Sequence, residues 1–128
     1  MKLTKNFRLQ EFQCKSGADM PLEVLENIKI LADQLQVLRD HIGRPITITS
    51  GYRSPEHTKN LIKKGVKTSI YSQHVLGKAA DFKVEGLTPA TVIKDIEVLI
   101  MTNQMLEGGI GKYPTWTHYD HRGIKARW

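Results

Sequence analysis

Apolar residues recur at Val24, Leu25, Ile28, Leu31, Ala32, Leu35 and Leu38. This spacing of three and four marks one face of an α-helix and predicts a helix over residues 21–41 whose stripe belongs to a core. Pro21 suits the first turn, where a missing N–H costs no hydrogen bond, and Gly43 suits a left-handed cap just past the end. The period then changes. Pro45-Ile46-Thr47-Ile48-Thr49 alternates and is β-branched, which predicts a strand. Ser54-Pro55-Glu56 predicts a helix start: a capping hydroxyl, a proline at the first position and an acid facing the helix dipole. That helix should reach about Lys64 and stop at Gly65, with a loop over 65–73. Ala79–Val84 predicts a strand. Thr88-Pro89 opens a third helix with Val92, Ile93, Ile96, Leu99 and Ile100 inside, ended by Gly108-Gly109. Two short strands, Ile110–Tyr113 and Trp116–Asp120, flank a turn at Pro114. The order α-β-α-β-α-β-β, with late strands joined by turns, predicts an α+β domain on an antiparallel sheet rather than a wound parallel one.

Composition narrows the class. With 128 residues, one domain and one core are expected, and no repeat or linker divides the chain. Hydrophobic residues at 40% and charged residues at 25% match soluble globular averages, which excludes a disordered tail, a collagen-like fibre and a disulfide scaffold. Cys14 is the only cysteine, so neither an internal disulfide nor a multi-cysteine zinc knuckle is available; it reads as a small core residue. No apolar run nears the roughly 18 residues of a membrane span; the longest, around Ile96–Met101, is broken by Glu97. No apolar stretch of a secretory leader follows Met1-Lys2.

The net charge of +6 favours anionic partners: nucleic acid, anionic lipid, or a bacterial wall rich in phosphate and carboxylate. The positive charge is scattered, with Lys63-Lys64 and Lys67 as its one cluster. No aromatic residues interleave with basic ones along a strand, so a specific nucleic-acid partner is not expected.

Five histidines are present. His41, at a helix C-terminus, and His57, in a first turn, read as surface residues. His74 lies in Ser72-Gln73-His74-Val75-Leu76-Gly77-Lys78-Ala79-Ala80-Asp81, where a loop delivers the imidazole and small residues leave room around Asp81. Asp81 opens an apolar strand. A carboxylate there must be paired, as with an arginine, or bind a metal. His118 and Asp120 lie two apart on a predicted strand and share a face with Trp116. Together His74, Asp81 and His118 make two imidazoles and one carboxylate. Three such ligands with one position open to water are the format of a catalytic zinc site.

These residues carry a resemblance. Ser72-x-His74-x-x-Gly77-x-Ala79-x-Asp81 followed by a late histidine resembles the zinc D-Ala-D-Ala carboxypeptidase and murein endopeptidase family. Ser50-Gly51-Tyr52-Arg53-Ser54-Pro55 resembles the family's SGYR segment. Phe7-x-Leu9-x-Glu11-Phe12-x-Cys14, Gly108-Gly109-Ile110-Gly111-Lys112-Tyr113-Pro114 and Thr117-His118-Tyr119-Asp120-x-Arg122-Gly123 through Arg127-Trp128 resemble its short bacterial and phage branch.

The resemblance implies a small α+β domain of the hedgehog/DD-peptidase kind, its antiparallel sheet carrying one zinc ion on His74, Asp81 and His118 with helices flanking it. It implies a metal-activated water attacking a peptide carbonyl in peptidoglycan. Arg53 would meet a substrate carboxylate or the oxyanion, and Ser72 and Gln73 would line the same pocket, to which the shared strand face adds Trp116. Many relatives carry an acid three residues before the last zinc histidine as general base. Here that residue is Thr115, which takes no proton. Asp120 is then the candidate base, with orientation of a ligand histidine as its alternative role; His121 points to the opposite face. Lys78 would add charge beside the site and favour an anionic stem peptide.

The leading expectation is a monomeric zinc peptidase cleaving stem peptides or cross-links. An endopeptidase is favoured over a D,D-carboxypeptidase because little chain is left for lids. The enzyme would be made in the cytoplasm and act at the wall, as a phage product or after loss of a leader. The alternative is a zinc-stabilised wall-binding or virion module with little catalysis, motivated by Thr115.

Overall fold

The computed structural model describes all residues, 1–128. The first helix, α1, spans Leu22–Ile42 and buries Val24, Ile28, Leu31, Ala32, Leu35 and Leu38, the stripe the periodicity predicts. Its last turn closes on Gly43 at φ 72°, whose N–H donates to the Arg39 carbonyl at 2.9 Å. A short 3-10 turn over Leu9–Phe12, absent from the sequence reading, precedes it and sends Phe12 into the core beside Phe7.

Strand β1 is Ile46–Ser50. Helix α2 is Pro55–Lys63, capped by Ser54 accepting from the His57 N–H at 3.1 Å. Strand β2 is Ala79–Val84. Helix α3 is Pro89–Met101, capped by Thr88, and buries Val92, Ile96 and Leu99. It ends well before Gly108-Gly109, contrary to the sequence expectation. Asn103 takes the left-handed conformation at φ 60°, a role asparagine fills more readily than most residues. Gly109 instead opens strand β3, Gly109–Lys112, which turns back into β4, Thr117–Asp120.

The sheet order is β1-β2-β4-β3-β5, where β5 is the two-residue strand Ala126–Arg127. The first four strands pair antiparallel as expected, but β5 pairs parallel to β3 and makes the sheet mixed. So short a strand carries no alternating pattern to read; its placement comes from long-range contacts.

Side chains alternate across the sheet. Ala80, Phe82 and Val84 of β2, Ile110 of β3 and Tyr119 of β4 join the buried cluster with α1 and α3. The intervening positions build the opposite face. Cys14 is part of that cluster, its Sγ near Ser16 and Ser54. No helix is long and apolar enough to cross a membrane.

Candidate metal centre

Antiparallel register puts Asp81 of β2 directly opposite His118 of β4, so both side chains leave the same face. Their contact is short: His118 Nδ1 to Asp81 Oδ1 is 3.0 Å. The loop before β2 brings His74 to the same carboxylate oxygen, with Nε2 at 3.3 Å. Gly77 shapes that loop. Its φ is 75°, and a Cβ there would lie 2.8 Å from the Val24 backbone and side chain on α1. Asn27 of α1 holds the same turn by donating to the Leu76 carbonyl at 2.8 Å.

The other ring nitrogens face acceptors. His74 Nδ1 lies 2.8 Å from the Gly51 carbonyl. A carbonyl only accepts, so Nδ1 carries the proton and Nε2 presents its lone pair. His118 Nε2 lies 2.7 Å from Asp120 Oδ2, which leaves Nδ1 as its ligand atom. One atom each from His74, Asp81 and His118 therefore converges within 4.8 Å. Ligand atoms bound tetrahedrally to one zinc ion sit about 3.4 Å apart, close to the two contacts observed. Two imidazoles and a carboxylate, each imidazole fixed from behind by a carbonyl or carboxylate, fit zinc in chemistry and in spacing.

Electrostatics agree with a charged centre. Burial works to raise the Asp81 pKa, but hydrogen bonds from His118 and His74 outweigh it and hold the carboxyl well below the ordinary range. Burial likewise opposes a charged His118, yet its bonds to Asp120 and Asp81 raise its pKa above the usual imidazole value.

Asp120 does not open onto the cleft. It is fully buried, with one oxygen on His118 and both oxygens on the Arg122 guanidinium, Nε to Oδ1 at 2.8 Å and Nη2 to Oδ2 at 2.7 Å. The Gly109 N–H donates to it as well. Burial pushes its pKa up, and the bonds from Arg122, His118 and Gly109 more than reverse this. Asp120 thus meets the His118 imidazole from beneath and is not among the residues lining the cleft. Gly109 lies opposite Asp120 in the register, and a Cβ there would fall 2.3 Å from Oδ2, so the carboxylate and Arg122 occupy the room that glycine leaves.

The centre forms the floor of a cleft of about 330 Å³, which Arg53, Ser72, Gln73 and Trp116 also line. Arg53 is held by Ser50 at 3.1 Å, Thr68 at 3.4 Å and Asp81 at 3.5 Å. Ser72 Oγ accepts from the His74 N–H. Gln73 Oε1 is buried with no partner in the protein. Trp116 stacks on Tyr113 with centroids 4.6 Å apart and planes at 7°.

Other expectations fall elsewhere. Lys78 does not line the cleft, whereas Lys67 does; the Lys78 carbonyl accepts from the His121 N–H at 3.2 Å. Thr115 is exposed and away from the centre. His121 is buried, with Nε2 donating to the Asn27 carbonyl on α1 at 3.0 Å. His41 pairs with Asp95 at 3.5 Å on the surface. The sequence reading missed Gly51 as the partner of His74, Arg122 as the partner of Asp120, and Trp128 in the cleft wall. The run His118-x-Asp120-x-Arg122 was a signal for the second of these, since alternate strand residues can meet.

Known proteins place this architecture. The family model described as Peptidase M15 matches residues 2–120. A peptidoglycan L,D-endopeptidase, MepK, of Escherichia coli K12 is 32% identical over 94 residues, covering 70% of this chain and 48% of its own length. A MepK of Shigella flexneri matches equally. The chain thus spans about half the length of these curated relatives. The crystal structure of the L-Ala D-Glu endopeptidase ChiX of Serratia marcescens superposes with a TM-score of 0.57 at 14% identity, covering 80% of this chain and 88% of that one; it shares the fold.

Proposed function

From the premise that this chain belongs to the peptidase M15 family, we propose that it is a zinc-dependent peptidase cleaving peptide bonds in bacterial peptidoglycan, acting as an endopeptidase. The observation that carries this is the convergence of His74 Nε2, Asp81 Oδ1 and His118 Nδ1 on the floor of an open cleft. A bound zinc ion supplies Lewis acidity that polarises a carbonyl and lowers the pKa of water toward neutrality.

The chain's own residues do the rest. The Gly51 carbonyl and Asp120 fix the two imidazoles, so their lone pairs point at one spot before any metal arrives. Asp120 is a positioning residue, anchored by Arg122. Arg53, pinned by Ser50 and Thr68, presents a permanent positive charge beside Asp81 and suits a substrate carboxylate or the oxyanion. Buried Gln73 Oε1 is an acceptor awaiting a donor, which a substrate amide N–H supplies. Contacts run from Arg53 through Asp81 and His118 to an aromatic flank of Trp128, Tyr113 and Trp116. Walls on both sides of the centre accommodate a chain that continues past the cut bond, which favours an endopeptidase. Lys67, Arg53 and Arg122 give the cleft a positive character matched to anionic stem peptides. The four matching curated relatives all carry an endopeptidase name. The wall is the proposed site of action and a monomer the proposed state.

A second reading has one observation behind it. Asp81 is the sole carboxylate lining the cleft, so no free acid stands there to take a proton from water. A zinc-stabilised wall-binding module accounts for that. The test is muropeptide mass spectrometry on peptidoglycan of several chemotypes, treated with zinc-loaded protein with and without a chelator. Chelator-sensitive new peptides are expected, and their masses identify the bond. Full zinc occupancy with no product from any wall supports the binding module.

A further inference from the structure

We propose that Trp128 is a positioning residue of the metal centre, packing against the His118 imidazole and so helping to fix its orientation. The inference rests on the zinc reading of the site given above. Beyond β5 the backbone continues its parallel pairing with β3: the Trp128 N–H donates to the Ile110 carbonyl at 3.1 Å and its carbonyl accepts from Lys112 at 2.9 Å. The indole then crosses β3 at Gly111, the residue opposite His118 in the register. A Cβ at Gly111 would lie 2.6 Å from the indole Nε1 and 2.7 Å from Cε2, so glycine makes the seat. From there the indole reaches the imidazole, with centroids 4.9 Å apart. Its Nε1 donates to the Tyr113 hydroxyl at 2.9 Å, and the Arg122 guanidinium carbon sits 5.4 Å from its ring centroid.

These contacts close a circuit. His118 bonds Asp120, Asp120 is held by Arg122, Arg122 lies over Trp128, and Trp128 packs on His118. Rotation of the imidazole breaks the Asp120 bond or meets the indole. Trp128 is 49% exposed, so a core-filling role does not account for its place.

Zinc affinity, measured by competition with a chromophoric chelator, tests this without relying on turnover. Trp128→Leu should weaken zinc about tenfold, in the range typical for groups that orient a metal ligand, and Trp128→Phe should recover most of that loss. Gly111→Ala keeps the indole but takes its seat, so it should weaken zinc in the same direction. Thermal unfolding of the chelated variants checks that each is folded. With Trp116→Phe, Trp128 becomes the single tryptophan, and its emission should change on zinc addition. Wild-type affinity in folded Trp128→Leu and Gly111→Ala, with zinc-insensitive Trp128 emission, overturns the proposal. Failure of the wild type itself to take up zinc overturns the underlying reading of the site, a separate result.

Discussion

On the sheet face turned toward α1 and α3, β2 presents Ala80, Phe82 and Val84, and β4 presents Tyr119, all in the buried cluster. On the other face the same two strands present Asp81, His118 and Asp120. The first face is held by apolar burial and tolerates changes that keep volume. The second is held by directed bonds to charged groups, each of which needs its partner. Period-two alternation lets one strand serve both, so a one-residue slip of β4 would exchange Tyr119 for His118 and ruin core and site together.

Substitutions can set the faces against each other. His118→Ala removes a ligand and should abolish both zinc binding at one per chain and chelator-sensitive cleavage, while the chelated protein still unfolds cooperatively; retained full zinc would remove His118 from the ligand set. Phe82→Ala, on the core face, should cost about 3–5 kcal/mol of stability yet leave zinc stoichiometry intact in the folded fraction, as denaturant titration with metal analysis would show. Asp120→Asn should weaken zinc by about 10–100-fold with turnover recovering as zinc is raised. Unchanged affinity with a lowered kcat would instead make Asp120 the base.

The smallest effect concerns pH. The folded-state pKa of His118 is raised, so the stability it contributes to the metal-free protein is fully present below the unfolded value of about 6.5 and is lost as pH rises through the folded value. Zinc requires the neutral ring, so the loaded protein should gain stability over the same window. Thermal melts with and without chelator across that range should show opposite slopes; parallel slopes would argue against His118 as the titrating ligand.

Much of this was legible in the chain. Helical spacing marked α1, and the motif from Ser72 to Asp81 with a late histidine singled out His74, Asp81 and His118, which the structure brings together. Alternation correctly put His118 and Asp120 on one face. It carried no information on depth. That Asp120 sits beneath His118 follows from the space at Gly109 and the charge of Arg122, both cross-strand facts. Trp128 was legible only as part of a motif, because its contact with His118 depends on a parallel pairing that no local pattern encodes.

Asn27 has a consequence for the order of events in folding. Its side chain bonds Leu76, at a separation of 49 residues, and its carbonyl accepts from His121, at a separation of 94. Helix α1 can form from local contacts early, but the two ligand-bearing segments are tied to it by closures among the longest in the chain, which are slow to make. The cleft floor is therefore assembled late: a growing or partly folded chain carries a formed helix, and His74, Asp81 and His118 converge only when folding is nearly complete.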